Sequence, residues 1–441
     1  MKQLNRILAL LLLVCVLVPV LASCVTPGGQ KESVDYVSQV QLDMDSETLK
    51  QEVTVKAYID GDTTHFYVPT SVSHTGILKA RYLAINTPES TGKIEEWGKK
   101  ASNFTKTKLK EAESIIVESD DSKWNVDSTG DRFLVWVWYK EVGSDSYRNL
   151  NLELLQEGLA IASNSSQNRY GQFCVDAIAQ ARDQKINVYS NEKDPDFFYG
   201  EAVPVSLSEL RANIETYDGQ KVAFTGIVAE AYNNGVYVES YDEEAGMYVG
   251  MYVYYGFNLS GAGIKILSVG NEVLIKGTVS YYETGDSWQV SGLSYRARVP
   301  DDPDNIQKLS EGHAAAYPLT TAEQFTSKVE REVIVDGEET IKEFSYAELC
   351  LGTSIAMNGL KVVSAYTTDN EESSSNGAIT LTCKVGNITV DVRTAVLRNE
   401  DGQIVTEDYF LGKTIDVKGI IDEFQGKSQI KVFSLEDIVI H

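Results

Sequence analysis

Histidine and cysteine are scarce in this chain of 441 residues, and their scarcity narrows the chemistry at once. The four histidines, His65, His74, His313 and His441, stand at no metal-ligand spacing and carry no assigned role. Five cysteines reduce to three once Cys15 and Cys24 are set aside with the N-terminal segment. Cys174, Cys350 and Cys383 are too few and too scattered for a disulfide framework or a zinc site. Buried free thiols are the expectation, and a Cys350–Cys383 bridge in an oxidising compartment is the alternative.

Positive charge is also short: 39 Lys and Arg face 64 Asp and Glu, a formal net charge of −25. The deficit is uneven, since residues 193–441 hold 19 basic against 39 acidic residues while 51–192 hold 16 against 20. An acidic surface repels phosphate backbones, so the C-terminal half is a poor candidate for unspecific nucleic-acid binding. Tryptophan is rare (5) beside tyrosine (24). Together with frequent Thr, Val and Ile runs, this favours strand-rich modules.

The N-terminus reads as an export signal. Lys2 and Arg6 precede an apolar run, 7–20, that is too short to span a bilayer comfortably. Leu21-Ala22-Ser23-Cys24 follows, which resembles a lipobox. That resemblance implies residues 1–23 as a signal peptide, a lipid on Cys24, a tether over 24–50, and secretion with anchoring at the bacterial cell envelope.

Residues 51–192 alternate strand-like stretches (53–58, 66–68, 78–85, 115–118, 133–139) with helical ones (97–112, 150–157, 175–185). Five strands with three helices suggest an OB-type β-barrel. Beyond 203, the pattern Gly-x-x-φ-x-φ-x-Gly, with φ apolar, occurs at 219–226, 270–277, 352–359 and 412–419. The four copies form two pairs, preceded by the helical phrases Ser208-Glu209-Leu210 and Ala347-Glu348-Leu349. Two further OB-like barrels are expected, 203–298 and 343–441, in a mainly β chain. Residues 299–342 are expected as a polar linker, with Asp301, Asp302 and Asp304 as a solvated cluster rather than a calcium site.

The chemistry-bearing residues lie in the first module. Ile59-Asp60-Gly61-Asp62-Thr63 is followed by Arg81, by Asn86-Thr87-Pro88-Glu89, and by Gly130-Asp131-Arg132. Singly, each has a plain explanation. Asp-Gly makes hairpin turns, and Thr-Pro-Glu starts helices. Together they meet the needs of phosphodiester hydrolysis: oxygen ligands for a cation, a carboxylate to activate water, and guanidinium donors for charge building on phosphate oxygens. An all-oxygen ligand set suits calcium.

The phrases IDGDT, ARYLAINTPE, GKKASNFTKTKLKEA, GDRFLVWVW and NLNLELLQEGLA are similar to the staphylococcal (thermo)nuclease family, over about residues 53–190. The resemblance implies a calcium-dependent endonuclease that leaves 3′-phosphate ends on DNA or RNA. It implies Asp62 as the direct calcium carboxylate, the main-chain carbonyl of Thr87 as a second ligand, and Asp60 as a neighbouring acid of the metal pocket. Glu89 matches the acid that handles the attacking water, and Arg81 and Arg132 match the two guanidiniums on the phosphate. Asn86 stands where the family has a second calcium-binding Asp, so calcium affinity should be lower, with Asp131 as possible compensation. Ser128, Thr129, Asn164 and Ser166 replace nucleotide-holding Lys and Tyr residues.

Lys99, Lys100, Lys106, Lys108 and Lys110 crowd one helix, either as a phosphate-tracking patch or as a solvated face. Two other readings stay open: a decayed nuclease serving as a surface binding protein, and C-terminal modules that dock an unknown partner with the nuclease as accessory.

Overall fold

Alternating burial along β1 (Lys50–Asp60), β2 (Thr63–Tyr67) and β3 (Ile77–Tyr82) gives each strand one face for a core and one for solvent. The computed structural model describes residues 33–257, 259–283, 285–335, 338–370 and 375–441. The signal segment, Cys24 and the first part of the expected tether lie outside them. β1 turns into β2 across Asp60↔Thr63, and β2 pairs with β3 at Thr63↔Arg81. β4 (Ala112–Glu118) joins β1 to β5 (Phe133–Glu141), and β5 closes the barrel by running parallel to β3 at Arg81↔Leu134. This is the OB-type arrangement expected from the sequence. Its core holds Phe66, Leu78, Tyr82, Trp136 and Trp138, all buried. Both buried indoles keep a partner, Asp120 for Trp136 and Glu118 for Trp138, each at 2.9 Å.

Helix α1 (Gly98–Lys110) seats Ala101, Thr105 and Leu109 on the barrel. Helices α2 (Leu150–Gln156) and α3 (Gly171–Gln184) pack beside it, α2 capped by the Asn149 side chain. Thr87-Pro88-Glu89 does not start a helix. The chain runs on as a loop, and α1 begins only after Trp97, whose left-handed φ of 68° makes the turn.

The tether is shorter than expected. Val37 and Val40 are buried in the first barrel's core, and Thr48 donates to the buried Glu118 at 2.6 Å. Apolar residues spaced three apart had a surface to cover, so the chain is docked from Tyr36 onward.

The second barrel comprises β6 (Lys221–Tyr232), β7 (Gly235–Asp242), β8 (Met247–Tyr254), β9 (Glu272–Tyr282) and β10 (Ser287–Ser291). The third comprises β13 (Ser354–Thr367), β14 (Ile379–Val385), β15 (Ile388–Thr394), β16 (Thr414–Phe424) and β17 (Lys427–Val432). The helical phrases form Leu207–Ala212 and Tyr346–Leu349, each capped by a serine.

The glycine pattern now has a physical reason. Its paired copies lie side by side, antiparallel, as first and fourth strands: Val222↔Gly277 in one barrel and Ile355↔Gly419 in the other. The first glycine of each copy takes a positive φ between 76° and 85°. The closing glycine admits a neighbouring strand: a Cβ at Gly419 would lie 2.4 Å from the Lys431 carbonyl oxygen, and one at Gly277 would lie 2.7 Å from that of Ser291. Gly359 departs from this, with a positive φ and open space around it.

The expected linker is structured. Ile306 is fully buried, and strand Gln307–Ser310 pairs with β9. Asp302 is buried against Arg296 at 2.9 Å and the half-exposed Asp304 pairs with Lys221, so of the acidic cluster only Asp301 is fully solvated. A hairpin of β11 (Lys328–Val335) and β12 (Glu338–Ser345) follows, polar on most positions but sinking Val333 and Phe344 into the apolar core shared by the two C-terminal barrels. Those two residues anchor a segment whose composition alone reads as solvated. The barrels also meet backbone to backbone, since a Cβ at Gly250 would lie 2.5 Å from the Gly352 carbonyl oxygen. Cys174, Cys350 and Cys383 are free and buried, and burial pushes each thiol up to about 12.

Candidate active site

The hairpin β1–β2 and the end of β3 bring Asp60, Asp62 and Arg81 to one rim of the first barrel. The turn is pressed against α1: a Cβ at Gly61 would lie 3.0 Å from that of Ala101, and Thr105 donates to the Gly61 carbonyl at 2.6 Å. Asp62 is buried, at 1% exposure. It accepts from Arg81, from the Thr63 hydroxyl at 3.0 Å and from the Thr87 amide at 2.9 Å. The other arm of Arg81 donates to Asn86 Oδ1 at 2.5 Å. Oxygens from Asp62 and Asn86 therefore flank one guanidinium, each accepting from a different arm.

Burial raises the Asp62 carboxyl above its usual range, against the pull of Arg81 and the Thr87 amide. Asp60 is pushed further, to about 8. Burial is the chief cause, the carboxyls of Glu89 and Asp62 add to it, and the Ser90 hydroxyl, donating at 2.7 Å, opposes it. Glu89 stays exposed at the rim. Two buried carboxyls side by side, with Arg81 on one of them, make an edge that favours protonation or added positive charge.

These residues fit a calcium ion by donor chemistry: Asp62, Asn86 Oδ1 and the Thr87 carbonyl, with Asp60 behind them, are all oxygen. Thr87 Oγ1 is a further buried oxygen, without a hydrogen-bond partner. Among the described residues, no three His, Cys, Asp or Glu side chains form a ready metal cage. The amide and carbonyl ligands are what the set relies on.

Arg132 is not brought into this cluster. Its guanidinium pairs with Asp127 at 2.6 Å, although it immediately precedes the strand that runs beside β3 at Phe133↔Ala80. Hydrogen bonds from Thr129 and Arg132 overcome desolvation and hold the Asp127 carboxyl down to about 2. Asp131 adds no charge to the pocket; it pairs with Lys79 at 2.8 Å.

The lysine helix is committed elsewhere. Lys99 pairs with Asp218 at 2.7 Å and Lys106 with Glu283, both acids of the second barrel's module, while Lys100 donates to Asn187 at 2.8 Å. The patch expected for phosphate is a contact between modules, because an acidic neighbour offers its carboxylates at no cost in diffusion. Exposed pairs of this kind contribute only about 0–1 kcal/mol each. Lys99→Ala combined with Lys106→Ala is expected to change the KM for nucleic acid less than about threefold and to leave its salt slope unchanged. A tenfold rise in KM with a flatter slope would return both lysines to the substrate path.

Four positioning residues escaped the sequence reading. Gly98 lets α1 start against the Glu89 carbonyl, where a Cβ would come within 2.3 Å. Glu95 accepts from the Glu89 amide at 3.2 Å and Asp194 from the Trp97 amide at 2.5 Å, while the Tyr199 hydroxyl donates to Glu96 at 2.7 Å. Together they pin the loop that carries Glu89. Only Gly98 and Glu95, close to Glu89 in sequence, left a local signal.

Residues 79–191 match the family described as Staphylococcal nuclease homologue. The match begins after the hairpin that carries Asp60 and Asp62, and strand pairing adds that hairpin to the same closed barrel. The first barrel of this chain is a staphylococcal-nuclease-like domain, and the function it supports is of the nuclease type.

Proposed function

We propose that this chain is an envelope-anchored nuclease that hydrolyses phosphodiester bonds of DNA or RNA with calcium, leaving 3′-phosphate ends. The observation that carries the reading is the convergence of Asp62 and Asn86 on Arg81, with Glu89 exposed beside them. Calcium bound by Asp62, Asn86 and the Thr87 carbonyl would neutralise the carboxyls and polarise the scissile phosphate. Arg81, relieved of Asp62, holds two phosphate oxygens with its planar fork. Glu89 takes a proton from water as the new P–O bond forms. The bond to the 5′ oxygen breaks, that oxygen is protonated from solvent, and phosphate stays on the 3′ side. Arg132 adds charge to the crowded phosphorus once it leaves Asp127.

The test is a nuclease assay on the soluble chain from residue 25 onward with calcium, magnesium or EDTA, with end-group analysis of the products. Cleavage with calcium alone and 3′-phosphate ends support the reading, and inactivity in all three conditions overturns it. The pairing of Arg132 with Asp127 favours the second reading, a domain that binds nucleic acid without cutting it. Such a domain would retain nucleic acid in the same inactive sample.

Anchoring has its own test. Cys24→Ala is expected to move the protein from the membrane fraction to soluble or unprocessed material, read by fractionation and mass of the N-terminus. Processed protein that stays with the membrane would count against a lipid on Cys24.

A further inference from the structure

We propose that the cleft bounded by the first barrel, the second barrel and the edge of the third binds a neutral oligosaccharide, a role separate from phosphodiester cleavage. OB-type barrels take chain-like ligands, oligonucleotide or oligosaccharide, on the face of their second and third strands and on the loops joining strands one to two and four to five. In the second barrel these are β7, β8, the turn at Asn233 and the loop after Tyr282. All of them border a single cleft of about 1160 Å³. Pockets for single small molecules run to about 1,000 Å³, so this one has room for several linked rings.

Aromatic side chains border the cleft at separate positions, since Tyr281 and Tyr282 are consecutive strand residues and point to opposite faces of β9. Tyr281 is 42% exposed, Tyr282 43% and Phe424, from the third barrel, 56%. Tyr254 stands half-buried beside them. Tyr281 is fixed from behind by Trp288, ring centroids 5.1 Å apart, so its face is presented without loss of side-chain freedom on binding. The inner end of the same sheet face is closed, because Tyr237 is buried against Ile420 and Phe433 of the third barrel.

Charge decides between the two ligand classes. Each lysine bordering the cleft already has a carboxylate partner: Lys93 has Glu95, Lys99 has Asp218 and Lys106 has Glu283. Lys221 has Asp304 and Lys431 has Asp422. Further acids, Asp194, Asp196 and Glu423, leave the lining net negative. Among the described residues a phosphate chain entering here would meet no lysine without a carboxylate beside it, and a lining that repels it. A sugar chain meets none of that repulsion. Its apolar ring faces lie on the aromatic side chains, and its hydroxyls exchange hydrogen bonds with paired carboxylates and ammoniums that remain paired.

The experiment is calorimetric titration of the full chain with neutral hexasaccharides (cellohexaose, chitohexaose, maltohexaose and mannohexaose), with a single-stranded oligothymidine as the anionic comparator. The expected result is binding of at least one hexasaccharide, equal at low and high salt. Tyr281→Ala with Tyr282→Ala weakens it by about tenfold or more, and Tyr281→Phe with Tyr282→Phe retains it. The rings are exposed, so an unchanged melting temperature verifies that both variants fold. The Glu89 side chain does not line the cleft, although Ser90 and Glu95 join it to the nuclease rim, so Glu89→Gln is expected to abolish cleavage and leave saccharide binding unchanged. Three outcomes overturn the proposal: no hexasaccharide bound, binding unaltered in the alanine variant, or tyrosine-dependent, salt-sensitive binding of oligothymidine instead.

Discussion

Glu89→Gln is expected to lower kcat by about 10²–10⁴-fold, the usual contribution of a positioned general base, with the melting temperature unchanged. The side chain is exposed at the pocket rim and supports no core, so its chemistry can be removed without loss of packing. The amide keeps the shape and loses the proton-accepting charge. It also relieves Asp60, whose carboxyl Glu89 helps to push up. The measurement is steady-state hydrolysis beside thermal unfolding. Activity within a few-fold of the parent would remove Glu89 from the mechanism.

Gly98→Ala is expected to reduce kcat by at least about tenfold, through displacement of the Glu89 loop and not through any contact with substrate. The added methyl would lie 2.3 Å from the Glu89 carbonyl oxygen and 2.8 Å from its carbon, both main-chain atoms that no rotamer change can move aside. Overpacking of this kind typically costs about 1–3 kcal/mol, which the domain can absorb as a lowered melting temperature while the loop shifts. A control at an open position with an ordinary backbone, Gly261→Ala, meets no atom within 4 Å and is expected to leave kcat unchanged. Full activity in Gly98→Ala would mean that the position of Glu89 tolerates movement.

The barrel and its rim were legible because they rest on local patterns. Asp-Gly marks the β1–β2 turn, period-2 burial marks the strands, and the spaced glycines mark the first and fourth strands of each later barrel. The order of the motifs also pointed to Asp62, Arg81 and Asn86 as one group, and the three lie together. What escaped rests on contacts far apart in sequence. Nothing in Lys99 or Lys106 announces Asp218 and Glu283, more than a hundred residues away, so a helix rich in lysine read as either a surface for phosphate or a solvated face, and not as a contact between modules. The same blindness hid Asp194 behind the Trp97 amide and made 299–342 look like a linker, because its few buried residues, Ile306, Val333 and Phe344, are thinly spread among polar ones. Thr87-Pro88-Glu89 misled in the other direction: its local preference for starting a helix lost to the Glu95 and Asp194 contacts that hold the loop open.

The apolar core that runs without a break from Leu207 to Ile438 removes the independence of the two later barrels. Glu239 of the second barrel accepts from the Ser354 amide of the third at 2.7 Å, and Arg211 donates to the carbonyls of Gly250 and Leu351. Melting either barrel would strip a wall from the other, so the pair is expected to unfold as one cooperative unit with a single large heat-capacity increment. Such a pair cannot be shuffled as beads on a string. Recombination that separated them would expose half a core on each side, and the duplication written in the glycine pattern is locked in as a dimer within one chain.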